Sequence, residues 1–265
     1  MSDPPTGTGT FPFTELPVAG VKARDQAAAV ARERVVMANL DAYLDNPIWH
    51  ALTRPHAYLA KGDDKARCYP RGVSWGAAVR SRDADAYASL ARLIPPGRPV
   101  GLFGGAPPPR TRWRLLRDHP TLRMVCERPI AAPADHGPAV IPLTPADVPA
   151  MLRLVELTAP GPLLPRGIEL GPFVSIQDEG QLVAMAGVRL HVPGGREVSS
   201  VCTHPAYRRR GYGRLLVCML AHAIQQAGEV PFLHVALDHH DVIAWYESLG
   251  FVRHSTPLLV GVERL

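Results

Sequence analysis

The segment His204–Leu216, HPAYRRRGYGRLL, concentrates the residue types best suited to chemistry. Arg208, Arg209 and Arg210 run into Gly211, Tyr212 and Gly213, and Arg214 opens a leucine-rich stretch. A strand is predicted to end near Thr203 and a helix to begin near Gly211. The first N–H groups of a helix have no partner within it, and the helix dipole adds partial positive charge there. With no side chains at positions 211 and 213, a phosphate can approach the backbone, so the segment is a candidate anion site. Solvated arginines at a helix start are the alternative reading. Two other phosphate loops are excluded. A dinucleotide fingerprint requires Gly or Ala where this chain has Leu216. A P-loop requires Gly-Lys-Ser/Thr where this chain has Gly213, Arg214 and Leu215.

Elements must hold this loop in place, and the pattern around it supplies them. Leu215, Leu216, Met219, Leu220, Ala223, Ile224 and Ala227 recur at helical spacing, with Gly228 placed to cap the C-terminus. Upstream, FVSIQ-DEG-QLVAMAGVRLHV reads as a hairpin, PGG (Pro193–Gly195) as a second turn, and Glu197–Thr203 as a third strand. Downstream come a strand over Pro231–Leu237, a short helix ending at Gly250, and one or two final strands. Thr144 is placed to cap an earlier helix, with Pro145 at its first position and Asp147 in its first turn. In the first half, helices are predicted over Ala23–Leu44, in DNPIWHALT around Pro47, and over Asp83–Leu93, with short apolar runs at Val100–Phe103 and Thr121–Glu127. No catalytic constellation emerges there.

Composition bounds the rest. Hydrophobic residues make up 46% of the 265 and charged residues 20%, which provides a core and excludes global disorder. No apolar run has the length of a membrane span. The start, MSDPPTGTGTFPFTELP, has neither the charged nor the apolar part of a signal peptide and reads as a flexible leader over 1–20. Cys68, Cys126, Cys202 and Cys218 are far apart, which points to reduced thiols in a cytoplasmic protein. Only three of the 29 basic residues are lysines, a bias that a GC-rich coding sequence produces, and the net charge is +5. No basic helix face is interleaved with aromatics, so no nucleic-acid partner is expected. His234, His239 and His240 have no metal-ligand spacing, and no metal is expected. The Pro- and Ala-rich stretch Arg128–Pro142 is the best linker, dividing the chain into units over 21–135 and 136–265.

Arg208-x-x-Gly211-x-Gly213, following a strand and opening an amphipathic helix, resembles the acetyl-CoA pyrophosphate loop of the GNAT (Gcn5-related) N-acetyltransferases. WYESLGF, Trp245 to Phe251, is similar to that family's closing motif, at the right distance. The pair most resembles the FR47-like branch and covers about Ile141 onward. The resemblance implies an α/β fold in the second unit: a mixed, mostly antiparallel sheet flanked by helices. LDNPIWHALT is similar to the first part of that branch's bacterial chains, implying that the first unit is a degenerate copy of the same fold.

The resemblance also implies a reaction and its residues: acetyl transfer from acetyl-CoA to a small-molecule or peptide amine, by direct attack in a ternary complex. The amides of Arg209, Arg210, Gly211, Tyr212, Gly213 and Arg214 would hold the diphosphate, with Arg208 beside them. Val201, Cys202 and Thr203 would pair with pantetheine, Val201 polarising the thioester carbonyl. Tyr246 would protonate the leaving thiolate. Glu197 stands eleven residues before Arg208, at the spacing of a general base. Strict alternation puts it on one strand face with Ser199, Val201 and Thr203, where partial burial would raise its pKa. An exposed carboxylate at a strand start is the alternative. His239 stands where the family commonly has Asn, as a pantetheine contact or an alternative base. Arg166 and Glu169, in the loop that builds the acceptor wall, are candidates for reading substrate charge. An acyl-CoA-binding regulatory module without turnover is the competing class. The acceptor, the acyl preference and the oligomeric state stay open.

Overall fold

The computed structural model describes residues 40–104, 112–132 and 137–265. The leader and most of the helix expected over Ala23–Leu44 lie outside the described residues, as does part of the linker.

Turn chemistry fixes the hairpins that lead to the loop. β7 (Phe173–Asp178) and β8 (Gln181–Val192) are joined through Glu179 and Gly180, both at positive φ (48° and 75°), the twist that a tight hairpin needs. β8 turns through Pro193 and Gly194 into β9 (Gly195–Thr203). Thr144 and Asp147 close the expected cap: the Thr144 N–H donates to Asp147 Oδ2 at 2.7 Å. A 3-10 turn at Pro145–Asp147 then precedes the helix Val148–Thr158. The helix Tyr212–Gln226 buries Leu216, Val217, Leu220, Ala221 and Ile224. Its buried stripe is turned by about one residue from the expected one, because Leu215, Met219 and Ala223 are half-buried at its border. The Gly228 (φ 74°) and Glu229 amides bond back to Gln225 and Ile224, which ends the helix.

In chain order the helices are α1 (Pro47–Thr53), α2 (Ala84–Leu93), α3 (Val148–Thr158), α4 (Tyr212–Gln226) and α5 (His240–Ser248). The remaining strands are β1 (Lys61–Gly62), β2 (Ala66–Cys68), β3 (Ala77–Val79), β4 (Pro99–Phe103), β5 (Trp113–Val125), β6 (Val140–Pro142), β10 (Val230–Ala236), β11 (Val252–Ser255) and β12 (Leu258–Arg264). β1–β3, which the sequence pattern does not announce, form a small antiparallel sheet. The large sheet runs β4-β12-β5-β10-β9-β8-β7-β6, with β11 also on β5. Its ladders are antiparallel except that of β9 with β10, so the expected mixed, mostly antiparallel α/β architecture is present. α4 and α5 cover one face through Leu216, Leu220, Ile243 and Leu249. α3 and α1 cover the other, α3 against Met185 and Cys202 and α1 against Leu190 and Phe232.

The boundary read near residue 135 is not a break in this sheet. β5 pairs through residues 113–120 with β12 and through 121–125 with β10. β12, from the second half, lies between β4 and β5 of the first.

Candidate active site

β9 delivers the site, and a bulge in it decides which side chains point where. The ladder with β8 matches Gly187 to Ser199 and then Met185 to Cys202, so β9 carries one extra residue. Ser200 takes it up at φ 53°. Glu197, Ser199 and Cys202 therefore share one face, while Val198, Val201 and Thr203 share the other. Val198 and Val201 pack with the α4 cluster, and Cys202 with Met151 under α3. The expected alternation, with Glu197, Val201 and Thr203 on one face, fails at this bulge. β10 pairs with β9 only over Val230–Phe232 against Gly195–Glu197. Beyond that point the two strands part, and the bulge lies at the opening.

The loop follows. Pro205–Tyr207 make a 3-10 turn capped by His204, Arg208 is extended, and Arg209 (φ 62°) and Gly211 (φ 81°) are left-handed. Leu215 is the first residue of α4 whose N–H reaches a carbonyl, that of Gly211 at 3.0 Å. The amides from Arg209 to Arg214 have no carbonyl partner among the described residues. Arg210 lies over the Tyr207 ring, 4.7 Å from its centre, and the Tyr207 hydroxyl donates to Asp178 at 2.8 Å. Arg208, Arg209 and Arg214 stay exposed. Gly211 is required by its φ, since nothing stands within 4 Å of the Cβ it lacks. At Gly213 a Cβ would meet only ordinary contacts, 3.5 Å from the Trp245 ring and 3.8 Å from the Thr203 hydroxyl, but it would narrow the passage between them.

These parts enclose a groove of about 430 Å³. Its walls are the ends of β9 (Val201, Cys202, Thr203), the loop, and Val242, Trp245 and Tyr246 of α5. Ile243, Tyr246 and Leu249 fall three apart, so one side of α5 faces the core. Tyr246 is 8% exposed, with its ring against Trp245 and Phe251. Burial, and then the negative charge of Glu197, push its pKa up, which keeps the phenol protonated. The expected loop, strand and tyrosine thus meet at one groove. Cys202 contributes backbone, its thiol being turned away under α3 with its pKa pushed up to about 11 by burial.

Glu197 differs from expectation. It is 0% exposed and faces away from the groove wall formed by Val201 and Thr203. Arg189 grips it through Nε and Nη2 at 2.9 and 2.6 Å, and His234 Nδ1 lies 2.8 Å from Oε1. Arg123 Nε donates to His234 Nε2 at 3.2 Å, which makes Nδ1 the protonated nitrogen and donor to Glu197. Burial pushes the carboxyl up, but the Arg189 charge and the bonds from His234 and Arg189 outweigh it and bring the pKa down to about 2. Burial holds His234 below the usual histidine range, hence neutral. The raised pKa expected of a base at position 197 is absent because its oxygens are spent on fixed donors.

The other candidates lie apart from the groove. His239 is the exposed residue before α5 and does not line it. Arg166 and Glu169 are one turn apart and bond each other at 2.5 and 2.8 Å, and neither lines the groove. A second cavity of about 120 Å³ reaches Ser200 and Arg189 and is walled by residues of both halves. Sequence reasoning missed Arg189, Ser200 and this wall. Arg189 had a signal: it stands across the Pro193–Gly194 turn from Glu197. Ser200 had none, being a non-glycine at positive φ inside a strand.

Known proteins resemble this chain in sequence and in fold. A family model described as FR47-like protein matches residues 174–259. A putative acetyltransferase from the GNAT family of Novosphingobium aromaticivorans is 32% identical, over 84% of this chain and 98% of its own, with a TM-score of 0.76. The uncharacterized protein ML0378 of Mycobacterium leprae is 31% identical, over 93% of this chain and 75% of its own. A GCN5-related N-acetyltransferase from Kribbella flavida shares the fold at 17% identity, over 86% of this chain and 94% of its own, with a TM-score of 0.52.

Proposed function

The chain belongs to the GNAT superfamily of acetyltransferases, in its FR47-like branch, and on that basis we propose that it moves an acetyl group from acetyl-CoA to a primary amine by direct attack in a ternary complex. One observation carries the reading: unpartnered amides, a parted strand and a buried phenol border a single groove. The residues present fit a diphosphate and its pantetheine arm. The amides of Arg209–Arg214 would hold the diphosphate, with the exposed Arg208 and Arg209 beside them to add charge-assisted bonds, Arg208 through the nitrogens other than the Nε that donates to the Thr203 carbonyl. The edge of β9 from Val201 to Thr203 would align the arm. When bound, the thioester supplies the activated acetyl group. A backbone N–H of the bulge at Ser200–Val201 is suited to polarise its carbonyl. Tyr246, kept protonated, donates its hydroxyl proton to the leaving thiolate, and the proton that the nitrogen sheds as the amide forms restores the phenol.

Glu197 takes no proton in this scheme. Its part is to position Arg189, His234 and the root of the parted strands. The amine therefore reacts as its free base, and kcat/KM should rise with pH through the acceptor's own pKa rather than through that of an enzyme carboxylate.

Calorimetry with acetyl-CoA and thiol release with an amine panel test the reading. Tyr246→Phe should lower kcat by about a hundredfold with KM for acetyl-CoA unchanged. The second reading is an acyl-CoA-binding module without turnover. On its side stands the fixed carboxylate of Glu197. Binding heat without thiol release for any amine would establish it.

A further inference from the structure

We infer that the acceptor is a compact primary amine whose remainder is apolar and uncharged, seated in the cavity between the two halves; this rests on the acetyl-transfer reading above. The cavity measures about 120 Å³, on the scale of the roughly 150 Å³ engineered site that holds one benzene-sized guest. Val73, Trp75 and Phe103 of the first half face Leu163, Leu164 and Leu170 across it. Such walls reward an aliphatic or aromatic group and leave a hydroxyl-rich one only the side chains of Ser74 and Ser200 as neutral hydroxyl partners.

Charge narrows the class further. Arg189 is the one charged side chain among the described residues that line the cavity. Its Nε and Nη2 are already given to a fully buried carboxylate. A second ammonium on the acceptor finds no carboxylate there, and an acceptor carboxylate finds a guanidinium whose charge is met. Both would be buried without compensation. The same surroundings disfavour the ammonium form of the reacting amine, which helps a reaction that takes the free base.

Position ties this cavity to the chemistry. Ser200 lines the cavity and Val201 lines the donor groove. They are consecutive residues of one bulge, so an amine seated against Ser200 is one residue from the strand edge proposed to align the thioester. Trp75, 49% exposed, stands at the mouth. Selectivity for the acceptor is thereby shared between the two halves, although the first carries none of the groove residues.

The test compares benzylamine and 3-methylbutylamine with lysine, glutamate, spermidine and glucosamine by thiol release from acetyl-CoA. The apolar amines should exceed the charged ones at least tenfold in kcat/KM. Leu164→Trp should raise KM for benzylamine at least tenfold and leave KM for acetyl-CoA unmoved, with Leu164→Phe as the milder variant if the tryptophan disturbs the loop. Binding is also read directly: benzylamine should change the fluorescence of the CoA-loaded protein, and Trp75→Phe should abolish that change. A charged amine as the best acceptor, or a benzylamine KM indifferent to both Leu164 variants, overturns the inference. If no amine releases thiol, the acetyl-transfer reading falls, and the Trp75 titration alone then upholds or overturns the cavity assignment.

Discussion

Glu197 is where a single residue governs most. Its carboxylate is fully buried and held by Arg189 and His234, so removing its charge strands a guanidinium in the interior. Glu197→Ala should cost about 3–5 kcal/mol in urea unfolding, with Glu197→Gln milder because an amide oxygen still accepts. The titration of the cluster has a definite direction. Burial lowers the pKa of His234, and burial, with His191 adding to it, lowers that of the nearby core residue His56, hydrogen-bonded to Tyr69, from 6.5 to about 4. Each is neutral when folded and binds a proton more readily when unfolded, so stability is whole above pH 6.5 and declines below it. Glu197, lowered from 4.5 to about 2, adds stability above pH 4.5 that fades as the pH falls toward 2. The urea midpoint should therefore drop between pH 7 and pH 5, before ordinary carboxylates titrate. His234→Asn should flatten that part of the curve; an unchanged slope would mean the histidine is not held neutral.

The elements around the loop were legible where local chemistry decides them. The stripe on α4, the Thr144–Asp147 cap, and the turns at Gly180 and Gly194 all follow from residues within one turn of each other. Tyr246 was legible through the resemblance of WYESLGF to the family's closing motif, and three-residue spacing on α5 is what turns it inward. The bulge at Ser200 was not, because a serine at φ 53° is imposed by the neighbouring strand. Missing it misplaced Glu197 relative to Val201. The two loop glycines should separate by experiment. Gly211→Ala meets φ 81° and should cost about 1–2 kcal/mol, lowering both the melting temperature and affinity for CoA. Gly213→Ala meets only ordinary contacts, the nearest at 3.5 Å; it should melt near wild type and still bind CoA more weakly, because its methyl narrows the groove. Equal melting losses in both would contradict this division.

Across the whole molecule the two halves are one sheet. β12 pairs with β4 on one side and β5 on the other, and Val260 and Val262 are buried in the core beneath α2. That pairing joins residues more than 130 positions apart, such as Val260 and Leu102, which is why a linker read from composition suggested two separable units. Heating should give one transition, seen alike by far-ultraviolet dichroism and tryptophan fluorescence. Val260→Pro, which removes a ladder donor from an interior strand, should abolish folding of both halves; two resolved transitions would count against it. The placement of β12 also sets a schedule for synthesis. Residues 258–264 emerge from the ribosome long after the strands they join, so the first half waits with an open seam between β4 and β5. Cutting the gene near codon 135 should yield two fragments that recover structure only when expressed together.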